Sequence, residues 1–276
     1  MQLSFLYRGP LESCNYGCAY CPFAKKVDSR ADLARDRAAL DRFVGWIETR
    51  SRDRIGVLVT PWGEGLIRRW YQEALVALSH MPHVTRASIQ TNLSCDLVWA
   101  ERADPSRVAL WATYHPEWTD RRRYVAKVRT LRSLGIAVSC GAVGFRRFAE
   151  EIERLRDELP DDVYLWINAA KSSEQYAPED IARLERIDPL FRTNTVRHPS
   201  LGRSCRAGAS VVSVDGDGDV RRCHFVDEVI GNLYDGSFDA ALRERPCPNS
   251  TCGCHIGYVH LDELDLYRTY GAGVLE

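Results

Sequence analysis

Six short apolar runs, each parted from the next by a stretch of helical periodicity, constrain this 276-residue chain more than any other feature. Leu3–Tyr7, Ile55–Thr60, Val84–Thr91, Arg107–Thr113, Ile136–Val143 and Val163–Ala169 read as strands. Between them, Ala31–Thr49 puts Leu33, Leu40, Phe43, Val44 and Ile47 on one face, and Leu66–Ser79 does the same with Trp70, Ala74, Leu75 and Leu78. Thr119–Leu134 opens on an N-cap residue and stops at Gly135. Phe145–Leu159 stops at Pro160, Pro178–Leu190 carries proline in its first turn, and Asp96–Arg102 reads as a turn or two. Such alternation means parallel β/α units. Six strands are too few for a closed eight-stranded barrel, so the expected class is α/β with an open, partial barrel. Functional groups then belong at the carboxyl ends of the strands.

After Thr195 the pattern changes. Ala209–Val214 and Asp219–Phe225 alternate like a hairpin joined by Asp215-Gly216-Asp217-Gly218-Asp219. A calcium loop would need a bidentate Glu where Val226 stands, which favours a plain turn. A short helix over Ser237–Arg243 and a cysteine-dense run from Cys247 to Cys254 come next. The expected division is a barrel over residues 1–196 and a small cysteine-rich unit over 197–276.

Net charge is −1 with no long run of one sign, so there is no electrostatic case for nucleic acid or an anionic membrane. No apolar run approaches the ~20 residues that span a bilayer, and the N-terminus lacks the layout of a signal peptide. Ten cysteines without export signals point to metal or redox chemistry in a reducing cytoplasm.

Three of these cysteines lie just past the first strand, in Cys14-Asn15-Tyr16-Gly17-Cys18-Ala19-Tyr20-Cys21. Three thiolates can hold three irons of a [4Fe–4S] cluster and leave the fourth iron open to another ligand. Zinc would want a nearby fourth Cys or His, and the next candidate is His80; disulfides would leave one thiol over.

This C-x3-C-x2-C spacing resembles the radical S-adenosylmethionine (radical SAM) superfamily, whose open iron chelates SAM. The resemblance implies a partial (β/α)6 barrel and extends along the chain. Trp62-Gly63-Glu64-Gly65 is similar to the Gly-Gly-Glu-Pro-like motif, departing at Trp62 and Gly65; it implies that Gly63 and Glu64 hold the SAM amino group. It also implies a Thr-Asn pair at Thr91-Asn92, a ribose contact at Thr113, an adenosine site near Trp166 and Asn168, and an adenine neighbour in Tyr20. Tyr114, His115 and Lys171 are placed at the barrel mouth by position alone. Cys95 and Cys140 stand apart, as isolated buried cysteines do; Cys140 is kept as a hydrogen-atom donor that would point into the barrel.

The C-terminal pattern, Cys205, the hairpin, Cys223, Gly231-Asn232 and then Cys247, Cys252 and Cys254, looks like a SPASM or twitch extension. That likeness implies an auxiliary [4Fe–4S] cluster on Cys205, Cys223 and two of the last three, with structural zinc as the alternative. The implied protein is a cytoplasmic enzyme fed by a low-potential donor such as flavodoxin or ferredoxin. It would cleave SAM and take hydrogen from a peptide or small molecule, for net oxidation or cross-linking. With the cysteines starting at residue 14, a peptide substrate is expected to need a separate recognition partner. The rival reading is a non-catalytic iron–sulfur or zinc protein that carries electrons or scaffolds a partner, which would not need the Glu64 motif.

Overall fold

The computed structural model describes residues 1–23, 26–171 and 173–270. Its six predicted strands are present as β1 (Gln2–Arg8), β2 (Arg54–Val59), β3 (Val84–Thr91), β4 (Val108–Tyr114), β5 (Ala137–Val143) and β6 (Leu165–Asn168). Each pairs in parallel with the next. The crossovers contain α1 (Arg30–Thr49), α2 (Arg69–Ser79), α3 (Arg121–Ser133) and α4 (Ala149–Glu158), and α5 (Pro178–Glu185) follows β6. Between β3 and β4 stands only the 3-10 turn Val98–Arg102. Ser29 starts α1 through a capping box with Asp32, and Asp120 caps α3 by accepting from the Arg123 N–H. The expected helix over Pro178–Leu190 breaks after Glu185, and a further turn, α6 (Phe191–Thr195), comes after it.

The hairpin after residue 196 does not form a sheet of its own. Strand β8 (Val211–Asp215) lies parallel to β1 on its free edge, and β9 (Asp219–Arg221) and β10 (Val229–Asn232) add antiparallel strands beyond it. The result is one nine-stranded, largely parallel sheet in the order β10-β9-β8-β1-β2-β3-β4-β5-β6. A two-stranded ribbon pairs β7 (His198–Pro199) with β11 (Thr251–Cys252), and short helices α7 (Phe238–Ala241), α8 (His255–Tyr258) and α9 (Tyr267–Tyr270) complete the chain. The acidic turn is a plain hairpin turn: the Asp215 carboxylate accepts from the Asp217 and Asp219 N–H groups and pairs with Arg221.

Strand alternation sorts side chains onto two faces. Phe5, Tyr7, Val57, Val59, Ala112 and Ile167 join the helix-side core, where the Tyr7 and Phe43 rings stack 4.4 Å apart. The opposite face presents Leu6, Leu58, Trp111, Trp166 and Val211, and onto it pack Ile256, Tyr258, Val259 and Leu261 from the C-terminal segment. Burying each such large side chain contributes about 1.5–3 kcal/mol. An open barrel would otherwise leave this face wet; the C-terminal segment covers part of it, and Cys254, His255 and Ile256 reach the cavity at the carboxyl ends of the strands. Among the described residues, no helix is long and apolar enough to cross a membrane.

Candidate functional site

The three-cysteine loop leaves β1 clamped at its root. The Leu11 N–H donates to the buried carboxylate of Asp36 at 3.1 Å, and the Glu12 and Ser13 N–H groups share Asp28 at 3.0 and 2.9 Å. Beside it runs the turn after β2, and Gly63 lies so close that a Cβ there would sit 1.8 Å from the Ser13 carbonyl oxygen. The Glu64 N–H donates to that same oxygen at 3.1 Å. A glycine is required at Gly63 because backbone meets backbone. Within the loop, the Tyr16 N–H donates to the Cys14 sulfur at 3.3 Å and the Asn92 amide reaches it at 3.7 Å. Burial raises the Cys14 and Cys18 thiols above their ordinary pKa.

Glu64 is 2% exposed, and burial pushes its carboxyl up to about 7. Its Oε1 accepts from the Thr91 hydroxyl at 2.7 Å and the Leu66 N–H at 3.0 Å, and its Oε2 from the Asn92 N–H at 2.5 Å. Three of roughly four acceptor positions are thereby taken. The carboxylate ties the end of β3 to the turn after β2 and keeps one lone pair for anything in the cavity it lines.

That cavity, of about 290 Å³, is lined by Cys14, Cys18 and Cys21 together with Gly63, Glu64, Asn92, Thr113, Trp166 and Asn168. Nine residues singled out from sequence therefore surround one volume at the carboxyl ends of the strands. A larger cavity of about 650 Å³ adjoins it, and Cys21, Thr113, His115, Asn168, Phe225 and Cys254 line both. Tyr20 lines the larger cavity: its hydroxyl is 2.8 Å from the His115 Nδ1, and its ring packs against Phe145. His115 Nδ1 also lies 3.5 Å from the Cys18 sulfur, and burial brings the imidazole down to about 4.

All five C-terminal cysteines, Cys205, Cys223, Cys247, Cys252 and Cys254, line the larger cavity. Backbone contacts bring them there. Cys205 bridges to Leu261, the Gly202 N–H donates to the Cys247 carbonyl, and Cys252 pairs with His198 in the ribbon. Arg222, next to Cys223, donates to the carbonyls of Arg245 and Pro246, just ahead of Cys247. Among the described residues, no three His, Cys, Asp or Glu side chains gather closely enough to hold a single metal ion.

Some expected residues lie elsewhere. Cys140 is fully buried in the helix-side core beside Tyr124 and lines neither cavity, so it does not point into the barrel; β5 turns Gly141 and Val143 inward instead. Tyr114 likewise faces the helices, its hydroxyl donating to Glu151 at 2.8 Å. Cys95 is buried in the helix-side core. His115 and Lys171 do line the larger cavity. Sequence reasoning missed Arg8, which ends β1 inside the smaller cavity, donates to the Thr60 carbonyl at 2.9 Å and stacks 4.0 Å from the Trp62 ring. The inward alternation of β1 was the available signal. It also missed His255, which packs against the touching rings of Trp111 and Trp166.

No protein-family model matches the chain, and no curated protein sequence matches it. Solved structures do. Native anSMEcpe with bound AdoMet (SAM) is similar at 16% identity with a TM-score of 0.57, over 86% of this chain and 80% of that one. Native anSMEcpe with bound AdoMet and Cp18Cys peptide is similar at 14% identity and 0.57, over 86% and 79%. Hexahistidine-tagged anSMEcpe with bound AdoMet gives 14% and 0.58, over 87% and 77%. The chain thus has the fold of structures that were solved with AdoMet in place.

Proposed function

We propose that this chain is a radical SAM enzyme with an auxiliary iron–sulfur cluster. The observation that carries the reading is the meeting of Cys14, Cys18 and Cys21 with Gly63, Glu64, Asn92 and Thr113 around one cavity. The donor set fits a [4Fe–4S] cluster with an open iron: three thiols border a volume, whereas one zinc would draw its ligands to about 2.3 Å from a point. When bound, such a cluster supplies one electron to the sulfonium of SAM, so that a 5′-deoxyadenosyl radical can take hydrogen from a C–H bond.

The chain's own residues hold and shield. All lining one cavity, Glu64 with its free lone pair and the Gly63 backbone would meet the cofactor ammonium, Thr113 and Asn168 would meet its sugar, and Trp166 would wall the adenosine. Buried Trp111 and Trp166 keep water from the chamber floor. Cysteines of the 197–276 segment that line the larger cavity would hold the auxiliary cluster, which would exchange an electron with a substrate bound there. A peptide side chain or a small molecule is the proposed substrate, oxidised or cross-linked there; a peptide is what one anSMEcpe structure of this fold carries. A low-potential flavodoxin or ferredoxin in a reducing cytoplasm is the proposed electron source, and a peptide would arrive with a separate recognition partner.

Calorimetric titration of SAM tests the reading. Anaerobically reconstituted protein should bind SAM at least about tenfold more tightly than the iron-free chain. Equal affinity with and without iron would overturn it.

A further inference from the structure

A closed [4Fe–4S] cluster takes four thiolates, and the larger cavity has five in its C-terminal wall. Cys252 lies within electrostatic range of Cys223, Cys254, Cys247 and Cys205, in that order, Cys223 within range of Cys205 and Cys247, and Cys205 within range of Cys247. The Cys252 sulfur seats against Gly257, where a Cβ would be 2.9 Å away. Cys205, Cys223, Cys247 and Cys252 line the larger cavity alone.

Cys254 is placed differently. It is the one C-terminal cysteine that lines both cavities, and although set deep in the fold its side chain is open to them. Its strongest charged neighbours are Arg8, at the end of β1, and Lys171, past the end of β6. Both are cations of the barrel mouth. His255, the next residue, is 4% exposed, lines the smaller cavity and has an Nε2 without a hydrogen-bond partner. The Cys254-His255 turn thus presents a thiol that accepts from the Ile256 and His255 N–H groups, and an unpartnered imidazole nitrogen, to the space that the two cavities share.

We infer that Cys205, Cys223, Cys247 and Cys252 hold the auxiliary cluster, and that Cys254 remains a free thiol facing the substrate in the chamber shared by the two cavities. The inference rests on the proposed auxiliary cluster and goes beyond it by naming the ligands and giving the chamber wall a thiol of its own. Cys95 and Cys140 are sealed in the helix-side core, so Cys254 is the remaining thiol that the chamber exposes among the described residues.

Iodoacetamide footprinting of the anaerobically reconstituted chain, read by peptide mass spectrometry, tests this. Cys254 should be alkylated while Cys205, Cys223, Cys247 and Cys252 are protected. In parallel, Cys254→Ala should keep the wild-type iron, about eight per chain for two clusters, and Cys252→Ala should lose about four. Protection of Cys254, or loss of about four irons in Cys254→Ala, would overturn the assignment. If Cys252→Ala fails to fold, the wild-type footprint still decides. A wild-type chain that holds only about four irons would remove the auxiliary cluster itself, and the inference with it.

Discussion

Gly63→Ala should empty the proposed cluster site on Cys14, Cys18 and Cys21 without touching a cysteine. The added methyl would sit 1.8 Å from the Ser13 carbonyl oxygen and 2.5 Å from its carbon, and backbone cannot yield as a flexible side chain can. The loop from Ser13 must move, and Cys14 is the next residue. Overpacking of this kind costs about 1–3 kcal/mol or more. Iron and sulfide after anaerobic reconstitution should fall from about eight per chain toward about four, the C-terminal site keeping its share. Gly45→Ala is the control: it lies mid-helix in α1 with nothing within 4 Å, and should be neutral or stabilise by about 0.5–1 kcal/mol. Full iron in Gly63→Ala would show that the two turns are not packed as described.

Glu64→Gln should weaken SAM by about tenfold or more, through loss of a charge-assisted bond of about 1.5–3 kcal/mol. The structure adds a second effect. A glutamine amide has one acceptor oxygen, and its NH2 would confront a donor among the Thr91 hydroxyl and the Leu66 and Asn92 N–H groups. A buried donor left without an acceptor costs about 1–3 kcal/mol. The pH dependence has a definite sign. Burial raises this carboxyl from 4.5 to about 7, so the folded chain binds its proton more tightly than the unfolded chain does. Stability from this group is present below pH 4.5 and is lost as pH rises through 7. Glu64→Gln should flatten that part of the stability profile in chemical denaturation, and a profile identical to wild type would count against the assigned cause.

The local elements were legible because each obeys a short-range rule. The six strands and the α1 and α3 helices lie within a few residues of their expected bounds, since apolar alternation and capping residues mark them. The segment after residue 196 was less so. That β8 would pair with β1 depends on an edge about 200 residues away in sequence, which no local pattern encodes. The hairpin's second strand ends at Arg221, before the expected Phe225, because Arg222 and Cys223 leave the ladder to face the cavity. In the site, motif residues announced themselves by spacing. Arg8 and His255 did not, because their placement depends on strand direction and on the packing of α8 on the inner face. Cys140 was misplaced by one strand position: in a pleated strand its neighbour Gly141 takes the inward face.

Reductive cleavage of SAM is the most direct measure of the central claim. Reconstituted wild-type protein with dithionite should yield methionine and 5′-deoxyadenosine in equal amounts. The variant with Cys14, Cys18 and Cys21 all changed to Ala should yield none while keeping about four irons. A wild-type chain carrying its full iron that forms no 5′-deoxyadenosine, or a triple variant that still forms it, would contradict the account.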